Sequence, residues 1–453
     1  MRRVIQLEWR RVRRSRALTI AAVAWTLAAV VALANGERLL DRQRRALAEA
    51  DDRQAEHHRA VLAPQPPSAI AGDQLYYLAY HTRHEPSPWA AVSIGQRDTR
   101  AFNLKVRLLA LHGQLYDGEL ASPLLAALGT FDLAFVIIAL GPLLVIGLCH
   151  DLVSAEREAG TWALVRAQPG GAWRALAAKV AVRGAVLLAL LALVGAAVPV
   201  LTDVPADGRL LAAIAASALY LAVWVTVAAA LAARHLSSEA NALVMLAVWL
   251  VWVVVGPALV TTLAASRFPA PEALALTVAQ REGYHSSWDR PVPETMAPFV
   301  DRYPEWRGHP VPTDRYSNAW YYAMQQRGDD AAAPVADAYL TTLRARHAWT
   351  GAWMWLFPPA ALQSTFDRMA RTDLPAHLAY LESVASYHET LKRHFLPVIF
   401  SEVAVAAVRW EQAPRHVFEE DGEAADLAPA LGPLLGWAIV AACVVAVGAR
   451  AKL

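Results

Sequence analysis

The sequence predicts an all-α polytopic membrane protein, with six transmembrane helices and a mainly helical extracytoplasmic domain. Three observations carry this: six long uncharged apolar segments, an arginine bias that orients them, and two long polar insertions with helical periodicity. Of the 453 residues, 56% are hydrophobic and only 18% are charged. Soluble domains typically carry about 25% charged residues, and here the deficit is concentrated in blocks. The blocks are Ala17–Ala34, Leu133–Cys149, Gly184–Leu201, Leu210–Ala233, Ala240–Ala265 and Leu427–Ala449. A helix of roughly 20 residues crosses a hydrocarbon core of about 30 Å. Unpaired backbone polar groups are not tolerated in lipid, so such segments are helical.

Residues 1–35 read as a basic interfacial helix followed by the first span. Arg2, Arg3, Arg10, Arg11, Arg13, Arg14 and Arg16 precede it, with Glu8 the one acid among them. The pattern resembles an enlarged signal sequence, but the apolar run is long for one and no clear cleavage site follows, so it reads as uncleaved. Residues 36–123 form a first extracytoplasmic insertion, opening with a charged helical run from Glu37 to Leu62 that continues the first span and breaks at Pro64, Pro66 and Pro67. Residues 124–265 hold spans two to five, with Asp132 as an interfacial cap or salt-bridge partner at the outer end of span two. Residues 266–426 form the large extracytoplasmic domain. Its clearest helix runs from Thr372 to Phe395, with Thr372 or Asp373 as cap, Pro375 in the first turn, and Leu374, Leu378, Leu381, Val384, Leu391 and Phe395 on one face. The segment 349–363, rich in tryptophan and broken by Pro358 and Pro359, suits either an interfacial or re-entrant position or the core of that domain. Residues 427–453 complete the sixth span and a basic tail. Arginines and lysines before span one, after span six and in the loop after span two place both termini and that loop in the cytoplasm of a bacterial inner membrane.

The loop at 150–179 contains DLVSAEREAGTWALVRAQPGGAWRALAAK. Glu156, Arg157, Glu158, Gly160 and Thr161, with Pro169 and Lys179 downstream, resemble the charged box after the second helix of ABC-2 type permeases. The branch it is similar to has a large insertion between spans five and six. FPPAALQSTFDRMARTDLPAHLAYLESVASYH, residues 357–388, carries that part of the likeness, although Ala370-Arg371-Thr372-Asp373 departs from a small-Gly-Thr-Asp pattern. FDLAFVIIALGPLL, residues 131–144, resembles the family's entry to helix two, with Pro142 as a kink. The resemblance implies that the loop docks on a separate ATPase, with Glu156, Arg157 and Glu158 as its contacts and Gly160 permitting a sharp break. An ordinary polar loop between two spans is the plainer alternative.

The resemblance implies a permease subunit of an exporter, with two ABC ATPase copies and a second permease, identical or related, as partners. Membrane lipid surrounds it, and a periplasmic partner can meet the external domain. No G-x-x-x-x-G-K-[ST] loop occurs, so ATP and Mg belong to the partner chain, and no cofactor, metal or catalytic residue is expected here. A net charge of +2 with scattered basic residues gives no basis for nucleic-acid binding. Cys149 and Cys443 lie in apolar runs and suggest no disulfide framework. His388, Glu389 and His394 lack the one-turn spacing of a helical zinc pair, and the histidines at 57, 58, 81 and 84 read as solvated. Gly432 and Gly436 form a small-xxx-small pair in span six. Two alternatives remain. One is an ATP-driven mechanotransmitter that works its external domain on an envelope partner without moving substrate; the other is a membrane-anchored periplasmic binding or enzymatic domain independent of ATP.

Overall fold

The arginine-rich start folds as an amphipathic helix, Arg2–Arg14, and Ser15 then caps a second helix by accepting from Leu18 N. That second helix, Arg16–Val61, is continuous for 46 residues, its first half apolar and its second half charged. The structure is a computed structural model and describes residues 2–452 except 64, 117–129, 169–170, 235, 271–272 and 419–427. Pro64, Pro169, Leu427 and the end of the first insertion therefore lie outside the described residues.

Five helices are long and apolar enough to cross a bilayer: Arg16–Val61, Leu133–Glu158, Gly171–Leu201, Gly208–Ala232 and Ser238–Arg267. A sixth helix, Ala428–Lys452, carries a shorter apolar stretch, Leu431–Val444. We call these spans one to six. Span three differs from its expected bounds. Its helix starts at Gly171 rather than Gly184, and so contains Lys179 and Arg183. Both side chains are buried against carboxylates from other elements, which is what lets a helix next to an apolar run keep them.

Spans two and five share a device. Each contains a π-helical stretch, Val136–Leu140 and Leu250–Val255, directly followed by Gly-Pro: Gly141-Pro142 and Gly256-Pro257. A proline inside a helix removes one hydrogen bond and pushes away a carbonyl one turn back, and a π-bulge absorbs the mismatch. In span two the carbonyls around the bulge find donors on three other helices. Trp25 Nε1 donates to Val136 O at 3.3 Å, Tyr220 Oη to Ile138 O at 2.8 Å, and Trp249 Nε1 to Ala139 O at 2.9 Å. Span two is thereby pinned to spans one, four and five.

The two insertions share one core, so we treat them as a single insertion domain. Leu75, Leu78, Tyr80 and Val106 from the first pack with Phe299, Tyr322, Leu391 and Phe395 from the second. Its main helices are Ala273–His285, Val292–Arg302, Asn318–Ala352 and Leu374–Phe400. A two-stranded antiparallel ribbon pairs Tyr80 with Val106 and His81 with Lys105. Asp373 caps the last of these helices by accepting from Ala376 N at 3.2 Å. Its apolar face at Leu374, Leu378, Leu381, Val384, Leu391 and Phe395 is buried. The histidines are less solvated than their polar surroundings suggest. His84 is buried and stacks on Tyr380 with ring centroids 4.9 Å apart, and His58 hydrogen-bonds Ala79 O at 2.8 Å.

The tryptophan-rich segment belongs to the bundle, not to the core of the insertion domain. Ala361, Leu362, Phe366 and Met369 join the same apolar cluster as residues of spans one to five. Phe357 sits on Gly256, where an added Cβ would lie 2.1 Å from its ring. Trp355 fills the slot left by Gly432 and Gly436, where added Cβ atoms would approach its indole to 3.4 and 2.9 Å. Trp437 Nε1 donates to Trp355 O at 2.5 Å. The small-residue pair of span six therefore admits an indole. Asp132 is a cap: its carboxylate accepts from Phe135 N at 2.8 Å and from Ile94 N at 2.9 Å, joining span two to the insertion domain.

Candidate coupling site

The loop after span two folds as two short helices, Ser154–Glu158 and Trp162–Arg166, separated by Gly160. Gly160 has φ of +70°, in the left-handed region that costs a Cβ-bearing residue about 1 kcal/mol or more. The break expected there is built on that geometry.

Around the loop lies a charge-balanced cluster of three acids and three bases. Arg183 Nη2 and Nε reach Glu8 Oε1 at 2.7 and 2.8 Å, and Nη1 reaches Asp151 Oδ1 at 2.5 Å. The same Nη1 donates to Leu148 O. Lys179 Nζ pairs with Glu156 Oε2 and donates to Leu152 O at 2.8 Å. Arg11 closes the ring, with guanidinium nitrogens 3.4 Å from both Asp151 and Glu156. The Arg183 and Glu8 side chains are only 3% and 5% exposed, so each charge needs a partner there; Glu8 has Arg183, and Arg183 also has Asp151. The amphipathic first helix is thus joined to two elements distant from it in sequence, the loop and the start of span three.

The box residues divide into two sets. Glu156 and Glu158 face other parts of the chain. Glu156 belongs to the cluster, and Glu158 caps span five, accepting from Ser238 N at 2.7 Å and Ser238 Oγ at 3.0 Å. Ser154 Oγ also meets Ser238 Oγ at 2.8 Å. Thr161 N and Oγ1 both donate to Glu156 O, at 2.9 and 3.2 Å, holding the turn after Gly160. Arg157 lies over the Trp162 ring, its Cζ 5.7 Å from the centroid. Its Nε and Nη2 are sealed from solvent with no hydrogen-bond partner among the described residues. Facing outward beyond the box are Leu164, 71% exposed, and Trp173, 48% exposed, beside the exposed Arg166 and Arg174. Residue types alone singled out the charged box. They missed Glu8, Asp151 and Arg183, and the outward apolar pair. The available signal was Lys179 and Arg183, four residues apart and so on one helical face at the edge of an apolar run.

A bundle of apolar helices whose two-helix loop is braced from three sides has the features of a membrane transport subunit rather than of a soluble enzyme. The chain belongs to the ABC-2 family transporter proteins, whose family model matches residues 2–300. It is accordingly the permease component of an ABC transporter and works with an ABC ATPase. Residues 274–419 match a second model, a domain of unknown function (DUF3526), which falls on the insertion domain. Comparison with curated proteins and with solved structures finds no match.

Proposed function

We propose that the chain is the permease of an ABC exporter in a bacterial inner membrane, both termini and the 150–179 loop cytoplasmic, and that its ATPase docks on the helix Trp162–Arg166. Two ATPase copies and a second permease, identical or related, complete the transporter, and ATP and Mg bind in the ATPase. The observation that carries this reading is the division of labour in the loop. Asp151, Glu156 and Glu158 tie it to the first helix and to spans three and five, while Leu164, Trp173, Arg166 and Arg174 stay exposed, two apolar and two basic side chains available to a partner. A bracing layer behind an exposed docking helix is what passing force from a soluble partner into a bundle requires.

Arg157 adds a second contact. Its Nε and Nη2 are sealed from solvent without a hydrogen-bond partner among the described residues, and a carboxylate or carbonyl on the ATPase would meet them once docking shifts the Trp162 ring off the guanidinium. Glu156→Lys should uncouple ATP hydrolysis from transport while leaving membrane insertion intact, because it places a third cation against Lys179 and Arg11. Glu158→Lys should do the same by releasing the loop from Ser238. Leu164→Asp should weaken co-purification of the ATPase without lowering thermal stability. Full coupled activity in both lysine variants, together with undiminished ATPase capture by Leu164→Asp, would refute this placement.

The helix Arg16–Val61 favours a second reading, since a single rigid rod joins the first span to the insertion domain. On it, the protein is a mechanotransmitter that works an envelope partner and moves nothing through the bundle. Vesicle assays separate the two: this reading requires ATP turnover that rearranges the insertion domain with no substrate translocated.

A further inference from the structure

The insertion domain contains a cleft of about 1440 Å³ between the charged half of Arg16–Val61, the Tyr80–His81/Lys105–Val106 ribbon, and helices Ala273–His285, Asn318–Ala352 and Leu374–Phe400. Ligand cavities commonly fall between about 300 and 1,000 Å³, so this one admits a large or elongated guest. Its lining is unequal in charge. Among the described residues, Arg53, Arg100, Lys105, Arg107 and Arg281 line it against one carboxylate, Asp98. Asp98 already accepts the Thr130 hydroxyl at 2.5 Å. Arg53 pairs with Glu49 at 2.8 Å and Arg100 donates to Gln96 Oε1 at 2.8 Å. Lys105, Arg107 and Arg281 have no carboxylate partner among the described residues.

Apolar side chains line the same space: Phe102 and Leu343, with the largely buried Leu378 and Leu381 presenting an edge to it. Two histidines in the lining register the field of the cations. His377 is held neutral, its pKa pushed down to about 3, first by burial and then by Arg100. His81 is shifted the same way by burial, with Lys105 adding to it. A cleft whose lining carries both leucines and cations without a carboxylate partner among the described residues concentrates anions and shelters hydrocarbon.

We propose that this cleft binds an anionic amphiphile: a phosphate or carboxylate head against Lys105, Arg107 and Arg281, with an apolar chain along Leu343, Leu378 and Leu381. The site lies in the insertion domain and needs no ATPase, so it stands or falls separately from the coupling reading.

The test is calorimetric titration of the full chain in nanodiscs of zwitterionic lipid, with empty nanodiscs subtracted. Octyl phosphate, octanol and inorganic phosphate are the probes. Octyl phosphate should bind saturably, one per chain and at least about tenfold tighter than either fragment, because head and tail contacts act together. Lys105→Glu/Arg107→Glu/Arg281→Glu should abolish that binding. Arg281→Gln, a single change at an exposed helical position, should weaken it several-fold and keeps the test valid if the triple variant misfolds. Displacement by phosphatidic acid added to the nanodisc supports a bilayer lipid as the source, and retention supports a soluble amphiphile. Equal binding of octanol, equal binding of inorganic phosphate, or unchanged binding in the charge variants would overturn the proposal.

Discussion

The pair Glu8–Arg183 offers the sharpest test of the loop's architecture, because its strength can be worked out beforehand. Removing one member of a buried ion pair costs about 3–5 kcal/mol, mostly from the charge left behind. Arg183→Ala strands Glu8, which is 5% exposed. It also removes a partner of Asp151, but that carboxylate is 22% exposed and keeps Arg11 at 3.4 Å. The cost should therefore sit near the top of the range, about 4–5 kcal/mol. Glu8→Ala should cost less, about 3 kcal/mol, since Arg183 retains Asp151 and the Leu148 carbonyl. A double-mutant cycle should then return a coupling of about 2–3 kcal/mol. The internal control is Arg11–Glu156, with 48% and 19% exposure at 3.4 Å. There the coupling should stay below about 1 kcal/mol. Equilibrium unfolding of the full chain in mixed micelles, driven by rising SDS fraction and read by tryptophan fluorescence, measures both cycles. A Glu8–Arg183 coupling no larger than that of the control would show that the cluster does not hold the first helix to span three.

Two further outcomes follow from single sites. Gly256→Ala puts a Cβ 2.1 Å from the Phe357 ring and should destabilise by about 1–3 kcal/mol, with Phe357→Ala restoring part of the loss in the double variant; additive losses would mean that the two do not touch. His388 is buried, hydrogen-bonds Leu109 O at 3.0 Å, and has its pKa pushed down to about 3, by burial first and then by Lys392. The unfolded chain gains a proton at this residue as pH falls through about 6.5 and the folded chain does not until near 3, so stability is lost with acidification across that window. His388→Gln keeps a donor but cannot titrate, and should remove about 1 kcal/mol of acid destabilisation between about pH 6 and 5; an unchanged pH dependence would contradict the burial argument.

How legible each part was depends on how local its cause is. Apolar runs of span length and the capped periodicity of Leu374–Phe400 are local, and both were readable. The start of span three was not, because a segment cut at its first charge stops before Arg183, and the group that neutralises Arg183 lies 175 positions away. One acid among seven arginines was the available hint that Glu8 has a dedicated partner. The position of 349–363 was ambiguous because tryptophan, proline and alanine suit a membrane interface and a domain core alike. The small residues that receive its rings, Gly256, Gly432 and Gly436, lie in other helices. Repetition of Gly-Pro in spans two and five marks the bulges, but only Pro142 stood out in a stretch with a known likeness.

Span two is where the loop and the insertion domain are mechanically joined. At one end Asp151 is held by Arg183, and at the other Asp132 caps the helix and accepts from Ile94 N. Between them, Trp25, Tyr220 and Trp249 hold the bulge carbonyls from spans one, four and five. Sliding or rotating span two alone would break all three bonds inside an apolar bundle, where no water replaces them. Tilting it together with those neighbours breaks none. If the ATPase docks at Trp162–Arg166 as proposed, force entering there would be carried most cheaply as a rigid-body tilt, and Glu158 on Ser238 would recruit span five directly. Span one would convert that tilt into displacement. At 1.5 Å per residue its 46 residues form a rod of about 70 Å, so a tilt of about 5° moves the far end by roughly 6 Å. That end, Arg53 included, forms one wall of the basic cleft. The same tilt that rearranges the bundle would thus open or close the cleft, which gives the insertion domain a reason to be built on the end of a membrane helix.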